Sequence, residues 1–138
     1  MSLWLINQNR LPDLRAGTAK VNITPPTGTE LSGYVLREQP SLGIHDPLYA
    51  RALVLEHDGH TIALVSCDLL ALRDDSVRAI RTIASQQTGI PPSNIMLSCT
   101  HTHSGPATIF LRNCGSVNGE WLIELQRRIA QTVVETAK

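Results

Sequence analysis

The chain has 138 residues, 42% of them hydrophobic and 17% charged, which is the size and balance of one domain with an ordinary core. Twelve Lys and Arg residues offset twelve Asp and Glu, so no global field exists to hold a nucleic acid or an anionic membrane by counterion release. Cys67, Cys99 and Cys114 are too few and too unevenly spaced for a disulfide framework or a four-thiolate zinc knot, and they read as buried or incidental thiols.

Residues 1–13 form a mixed lead-in without the basic flank or the ~7–15-residue apolar run of a signal peptide. No later stretch approaches the ~20 apolar residues of a transmembrane segment. As written the chain reads as cytoplasmic, with an extracellular or periplasmic location expected only if a leader has been removed. The β-branched alternation in Ala16-Gly-Thr-Ala-Lys-Val-Asn-Ile-Thr24 predicts a strand over 17–24, stopped by Pro25-Pro26. From Thr27 to Pro47, glycine and proline punctuate a stretch with little apolar periodicity. This predicts an ordered loop with a short strand at Gly33–Leu36.

Two β-rich runs, 50–56 and 61–67, flank His57-Asp58-Gly59-His60, and the Asp-Gly pair predicts a hairpin turn with both histidines in solvent. Both runs are nearly continuous in apolar residues at their centres, so strands covered on both faces are expected. Val77, Ile80, Ile83 and Ala84 then recur at helical spacing between the capping candidates Asp74, Asp75 and Ser76 and the stop at Gly89, which predicts a helix over 75–88. A short buried strand follows at 95–99. Trp121, Leu122, Leu125, Ile129 and Val133 mark an amphipathic helix over 119–137. Strand hairpin, helix, strand and helix in this order predict a single α/β domain with a mixed β-sheet and flanking helices.

The residues best suited to chemistry follow the strand at 95–99, at the C-terminal sheet edge where α/β proteins build sites. In extended backbone residues i and i+2 point the same way, so His101 and His103 can serve one site, as two zinc ligands or as one ligand and a neighbouring hydrogen-bond donor. Thr100, Thr102 and Ser104 are placed to orient the imidazoles, and Gly105-Pro106 to turn the loop back onto the sheet. The plain alternative is a polar loop with incidental histidines.

His45, beside Asp46 in a Gly-rich loop, reads either as a metal ligand or proton carrier or as a loop residue capped against Arg51. Asp68, leaving a buried strand, could orient an imidazole in a carboxylate–histidine–zinc relay or could be a turn residue on the approach to the helix. Cys99 as a thiolate nucleophile lacks an orienting third group, and Ser104 lies in no Gly-x-Ser-x-Gly elbow. Trp4, Tyr34, Phe110 and Trp121 are expected in the core or an interface.

Four stretches in order resemble the neutral or alkaline non-lysosomal ceramidases: Ala16-Gly-Thr-Ala-Lys-Val-Asn-Ile-Thr-Pro25, Leu31-Ser-Gly-Tyr34, Gly43-Ile-His-Asp-Pro-Leu-Tyr-Ala-Arg-Ala52 and Cys99-Thr-His-Thr-His-Ser-Gly-Pro106. The last two are the most specific. The resemblance implies a zinc-dependent amidase acting on the N-acyl bond of ceramide or a related lipid-like amide through metal-activated water. By the same resemblance His101 is a zinc ligand and His103 hydrogen-bonds near the reacting group.

The family's remaining ligands, a later histidine, a glutamate and a tyrosine, lie downstream of this motif together with a functionally important serine. The chain is therefore expected to be the N-terminal part of such a catalytic domain, partnered by a C-terminal remainder, inactive by itself and isolated largely without metal. The competing readings are a non-catalytic metal-binding or structural domain that keeps the motif, and an amidase with a non-lipid substrate.

Overall fold

In the computed structural model, which describes residues 13–137, the elements run β1 (Arg15–Asn22), β2 (Tyr49–His57), β3 (His60–Cys67), α1 (Asp74–Thr88), a 3-10 turn (Pro92–Asn94), β4 (Ile95–Cys99) and α2 (Gly119–Thr136). The four strands form one sheet in the order β1-β2-β3-β4. The first two pairings are antiparallel and β3 with β4 is parallel, so the expected mixed sheet of a single α/β domain is present. Trp4 lies outside the described residues.

Local chemistry sets the element ends. The β2–β3 turn places Asp58 at φ 51° and Gly59 at φ 76°, the doubly left-handed geometry that Asp-Gly accommodates. His57 and His60, paired across it, are both exposed. Strand β1 ends at Asn22, two residues before the expected limit, because the Asn22 side chain accepts from the Thr24 N–H at 2.8 Å and bends the chain. Helix α1 starts at Asp74 with Arg73 at its N-cap and no side-chain cap. Its acidic residues sit inside the first turn, against the helix dipole, instead of capping it. Gly89 at φ 76° closes its C-terminus through a bond to Ser85 O. Asn118 caps α2 by accepting from Trp121 N.

The register puts Gly17, Ala19 and Val21 beside Val54, Ala52 and Ala50, and these beside Ala63, Val65 and Cys67. This face meets Ile80 and Ala84 of α1 and Leu125, Ile129 and Val133 of α2 in one buried core. Small strand residues let α2 lie close. A Cβ on Gly17 would stand 2.6 Å from the Thr136 carbonyl oxygen. Among the described residues no element covers the opposite face, contrary to the expectation from continuous apolar runs. Exposure alternates along β2 and β3, and Ile62 and Met96 are among the exposed apolar side chains. The helices pack on each other and on a single face, which makes the domain two layers.

The segment 27–47 is the ordered loop expected, tied across its base by Gly28 N to Ser41 O and Ser41 N to Thr29 O, both 2.9 Å. No strand forms at Gly33–Leu36. Arg37 N instead closes a turn on Tyr34 O at 3.2 Å.

Candidate functional site

Parallel pairing brings Cys67 and Cys99 opposite one another at the C-terminal ends of β3 and β4. The segments that leave them start out together, since Thr100 N donates to Cys67 O at 3.0 Å, while Asp68 N keeps the exit of β3 on β2 by donating to Tyr49 O at 2.9 Å. The histidine loop therefore starts at the sheet edge, beside Asp68-Leu69-Leu70.

His101 adopts φ 61°, a left-handed conformation unusual for a residue with a side chain. Its Nδ1 lies 2.9 Å from Leu70 O. A carbonyl can only accept, so Nδ1 donates, and in the neutral tautomer this selects, Nε2 keeps its lone pair. Fixing one ring nitrogen on a backbone carbonyl is how proteins aim a metal-binding imidazole. His101 as a whole is exposed. The His101 and His103 ring centroids lie 5.0 Å apart with planes at 73°. The two rings share one place, but a left-handed turn brings them there and not the alternation of an extended strand.

His103 is gripped from the other loop. Gly33, at φ 108°, lies so near that a Cβ would come within 2.5 Å of His103 Cγ. The Tyr34 ring meets the His103 ring edge-on at 5.2 Å, and Arg37 Nη2 donates to His103 O at 3.0 Å. The two loops continue as a short ladder: Ser32 N to Gly105 O and Ala107 N to Glu30 O, both 3.0 Å, around a Leu31–Pro106 bridge. Gly105-Pro106 thus holds the histidine loop in place by pairing it with residues 30–32. Thr102 Oγ1 accepts from Ser104 N at 3.2 Å, which shapes the turn and orients neither ring.

The other two candidates direct their side-chain hydrogen bonds away from both imidazoles. Asp68 accepts from Tyr49 N at 3.0 Å and from Arg51 Nη1 at 2.8 Å, so its carboxylate holds the β2 edge, and Leu70 O takes the position beside His101 considered for it. The His45 side chain is almost wholly exposed and its Nδ1 meets Asp46 Oδ2 at 2.7 Å. Arg51 is occupied with Asp68, so His45 is not capped against it. His45 does line a cleft of about 450 Å³ that also touches Thr102, Ser104 and Pro106 and has apolar walls at Leu31, Ile44 and Leu48.

Burial pushes the Cys67 thiol up to about 12, with Cys99 and Asp68 adding to the effect, and burial also raises Cys99. Neither is a ready nucleophile. Trp121 packs on the core, whereas Tyr34 and Phe110 are exposed. Reasoning from sequence missed Leu70, Gly33 as a packing surface, and Arg37. A backbone carbonyl leaves no mark in a sequence, although Ser-Gly-Tyr in the second stretch marked the loop that holds His103.

The family description "Neutral/alkaline non-lysosomal ceramidase, N-terminal" matches residues 14–118. The chain belongs to this family. It is 33% identical over 97 residues to the neutral ceramidase of Pseudomonas aeruginosa, covering 67% of this chain and 14% of that protein. To neutral ceramidase A of Dictyostelium discoideum it is 34% identical over 96 residues, 66% of this chain and 13% of the relative. The solved structure of the Pseudomonas aeruginosa neutral ceramidase superposes with a TM-score of 0.62 at 26% identity, over 93% of this chain and 21% of that one. The chain thus matches 13–14% of the length of the two named relatives and 21% of the solved chain.

Within this ceramidase-family chain, the donor chemistry suits part of a zinc site: one imidazole anchored through Nδ1 with Nε2 open, and a second ring beside it. Among the described residues no three His, Cys, Asp or Glu side chains gather as a metal site.

Proposed function

We propose that this chain supplies one part of the active site of a zinc-dependent amidase that hydrolyses the N-acyl bond of ceramide or a related lipid-like amide. Membership of the ceramidase family supports the reaction class, and the observation that carries the zinc assignment is the His101 Nδ1–Leu70 O bond, which leaves Nε2 as the nitrogen free to ligate at the C-terminal edge of the sheet.

In this proposal His101 is a zinc ligand through Nε2, and the remaining ligands come from segments corresponding to the rest of the relatives' length. Zinc there supplies Lewis acidity toward the amide carbonyl and toward water. His103, held by Gly33 and Tyr34 with its ring 5.0 Å from that of His101, hydrogen-bonds at the reacting group and can hold a proton there. The cleft walled by Leu31, Ile44 and Leu48 beside the histidine loop suits an aliphatic chain. His45, at its rim, and Asp68, committed to Arg51, support the loops and make no hydrogen bond to either imidazole.

The test is a chimera in which residues 14–118 replace the matching segment of the Pseudomonas aeruginosa neutral ceramidase. Release of fatty acid from an N-acyl sphingosine and the zinc content are measured for the chimera and its His101→Ala variant. The expected result is about one zinc per molecule and activity, both lost with His101. A chimera that keeps zinc and activity after His101→Ala refutes the assignment. Zinc binding to the 138-residue chain, followed by calorimetry, is expected to be weak, because two imidazoles fall short of the three or four ligands of a closed site.

A further inference from the structure

The guanidinium of Arg37 spans two loops. Its Nη2 donates to His103 O at 3.0 Å and its Nη1 to Ser32 O at 3.4 Å, and its carbon lies 4.9 Å from the Tyr34 ring centroid. The side chain is half-buried, and Arg37 takes part in none of the ion pairs among the described residues. Its donors thus serve backbone carbonyls, at the place where the 30–37 loop meets the histidine loop.

The contacts converge on one side chain. Gly33 backs onto His103 Cα, Cβ and Cγ, with room for no Cβ of its own. Tyr34 holds the ring edge, and Arg37 holds the carbonyl of the same residue while bonding the residue before Gly33. The backbone turn Arg37 N to Tyr34 O sets the distance between the two grips.

A planar guanidinium can reach two carbonyls at once in fixed geometry, whereas an ammonium is a point charge on a flexible stem. Without the span, the hydrogen bonds left between the 30–37 loop and the histidine loop among the described residues would be those of the ladder at residues 30–32 and 105–107.

We propose that Arg37 is a positioning residue for His103: it locks the Gly33-Tyr34 turn against the histidine loop and so fixes the His103 ring beside that of His101. The proposal rests on the reading of His103 as the group that meets the reacting amide, and the experiment separates the two. In the 138-residue chain, NMR follows the ring contacts between Tyr34 and His103 and the linewidths of the His103 ring protons for the wild type, Arg37→Ala and Arg37→Lys.

With Arg37→Ala, the Tyr34–His103 cross-peaks are expected to fall several-fold in intensity and the His103 ring signals to broaden, while amide shifts in β2 and β3 stay in place. Arg37→Lys restores the pattern only in part. In the chimera, Arg37→Ala lowers kcat on the order of 10–100-fold, as loss of a supporting contact commonly does, with zinc content and KM little changed.

Unaltered Tyr34–His103 contacts in Arg37→Ala, or full restoration by lysine, overturn the proposal. Lost contacts beside an inactive chimera confirm the clamp and count against the amidase reading alone. Should Arg37→Ala unfold the sheet, Arg37→Lys carries the decision by the same cross-peaks: retained in full they overturn the clamp, and weakened they support it.

Discussion

The ring of His101 gives its Nδ1 hydrogen to the carbonyl of Leu70, 2.9 Å away, so the segment after β3 aims a side chain in the loop after β4. Leu70 is almost fully buried, and its carbonyl has a stake in the bond as large as the imidazole's. His101→Asn keeps a short donor for that carbonyl and tolerates φ 61°. Its unfolding free energy in urea is expected to stay within about 0.5 kcal/mol of the wild type. His101→Ala leaves the carbonyl unpaired in a strained backbone and is expected to lose about 1–3 kcal/mol. Both variants should fail to take up zinc in the chimera.

Alkali should find Cys67. Its thiol is raised by burial, then by Cys99 and Asp68, from 9.0 to about 12, so between these values the unfolded chain loses a proton that the folded chain keeps. The contribution is therefore fully present below pH 9 and fades as pH climbs toward 12, with a slope of up to ~1.4 kcal/mol per pH unit. Urea unfolding at several pH values across this range is expected to show a shallower decline for Cys67→Ala than for the wild type. Equal slopes would show that Cys67 does not stay protonated in the fold.

Gly33 and Gly43 occupy the same loop but should respond differently to alanine. Gly33 combines φ 108° with a virtual Cβ 2.5 Å from His103 Cγ, whereas nothing lies within 4 Å of a Cβ on Gly43. Gly33→Ala is expected to cost on the order of 1–3 kcal/mol and to displace His103. Gly43→Ala should be neutral or slightly stabilising, by less than about 1 kcal/mol. Thermal melts of the two variants check the ordering.

The two faces of the sheet differ in the same way. Ile129, fully buried between α2 and the sheet, is expected to lose ~2–5 kcal/mol on substitution by alanine. Ile62→Thr on the opposite face keeps the β-branch, and with the residue already 41% exposed the change should be under about 1 kcal/mol. A large loss at Ile62 would mean that something covers this face in solution.

Much of this was legible in the sequence because the signals are local. Asp58-Gly59 specified its hairpin, Gly89 its helix stop, and the spacing of Leu125, Ile129 and Val133 a helix with one buried stripe, each through backbone preference or side-chain period within a few residues. The motif Cys99–Pro106 likewise marked the place of the site, at the end of a strand. The apolar runs of β2 and β3 misled because hydrophobicity says which side chains can be buried, while only the placement of α1 and α2 on one face decides which are.

The partners of the two imidazoles lay beyond any local signal. Leu70 O reaches His101 across 31 positions and Arg37 reaches His103 across 66, through a carbonyl present in every residue and a cation of a type that pairs with carboxylates at Arg51 and Arg128. The order of residues along the chain, a strand followed by His101 and His103, marked where two histidines would lie at a sheet edge. Parallel pairing of β3 with β4, and the fold-back of the 27–47 loop onto residues 103–107, decided which nitrogen faces outward and what holds each ring, because hydrogen-bond direction depends on distances that only the closed structure sets.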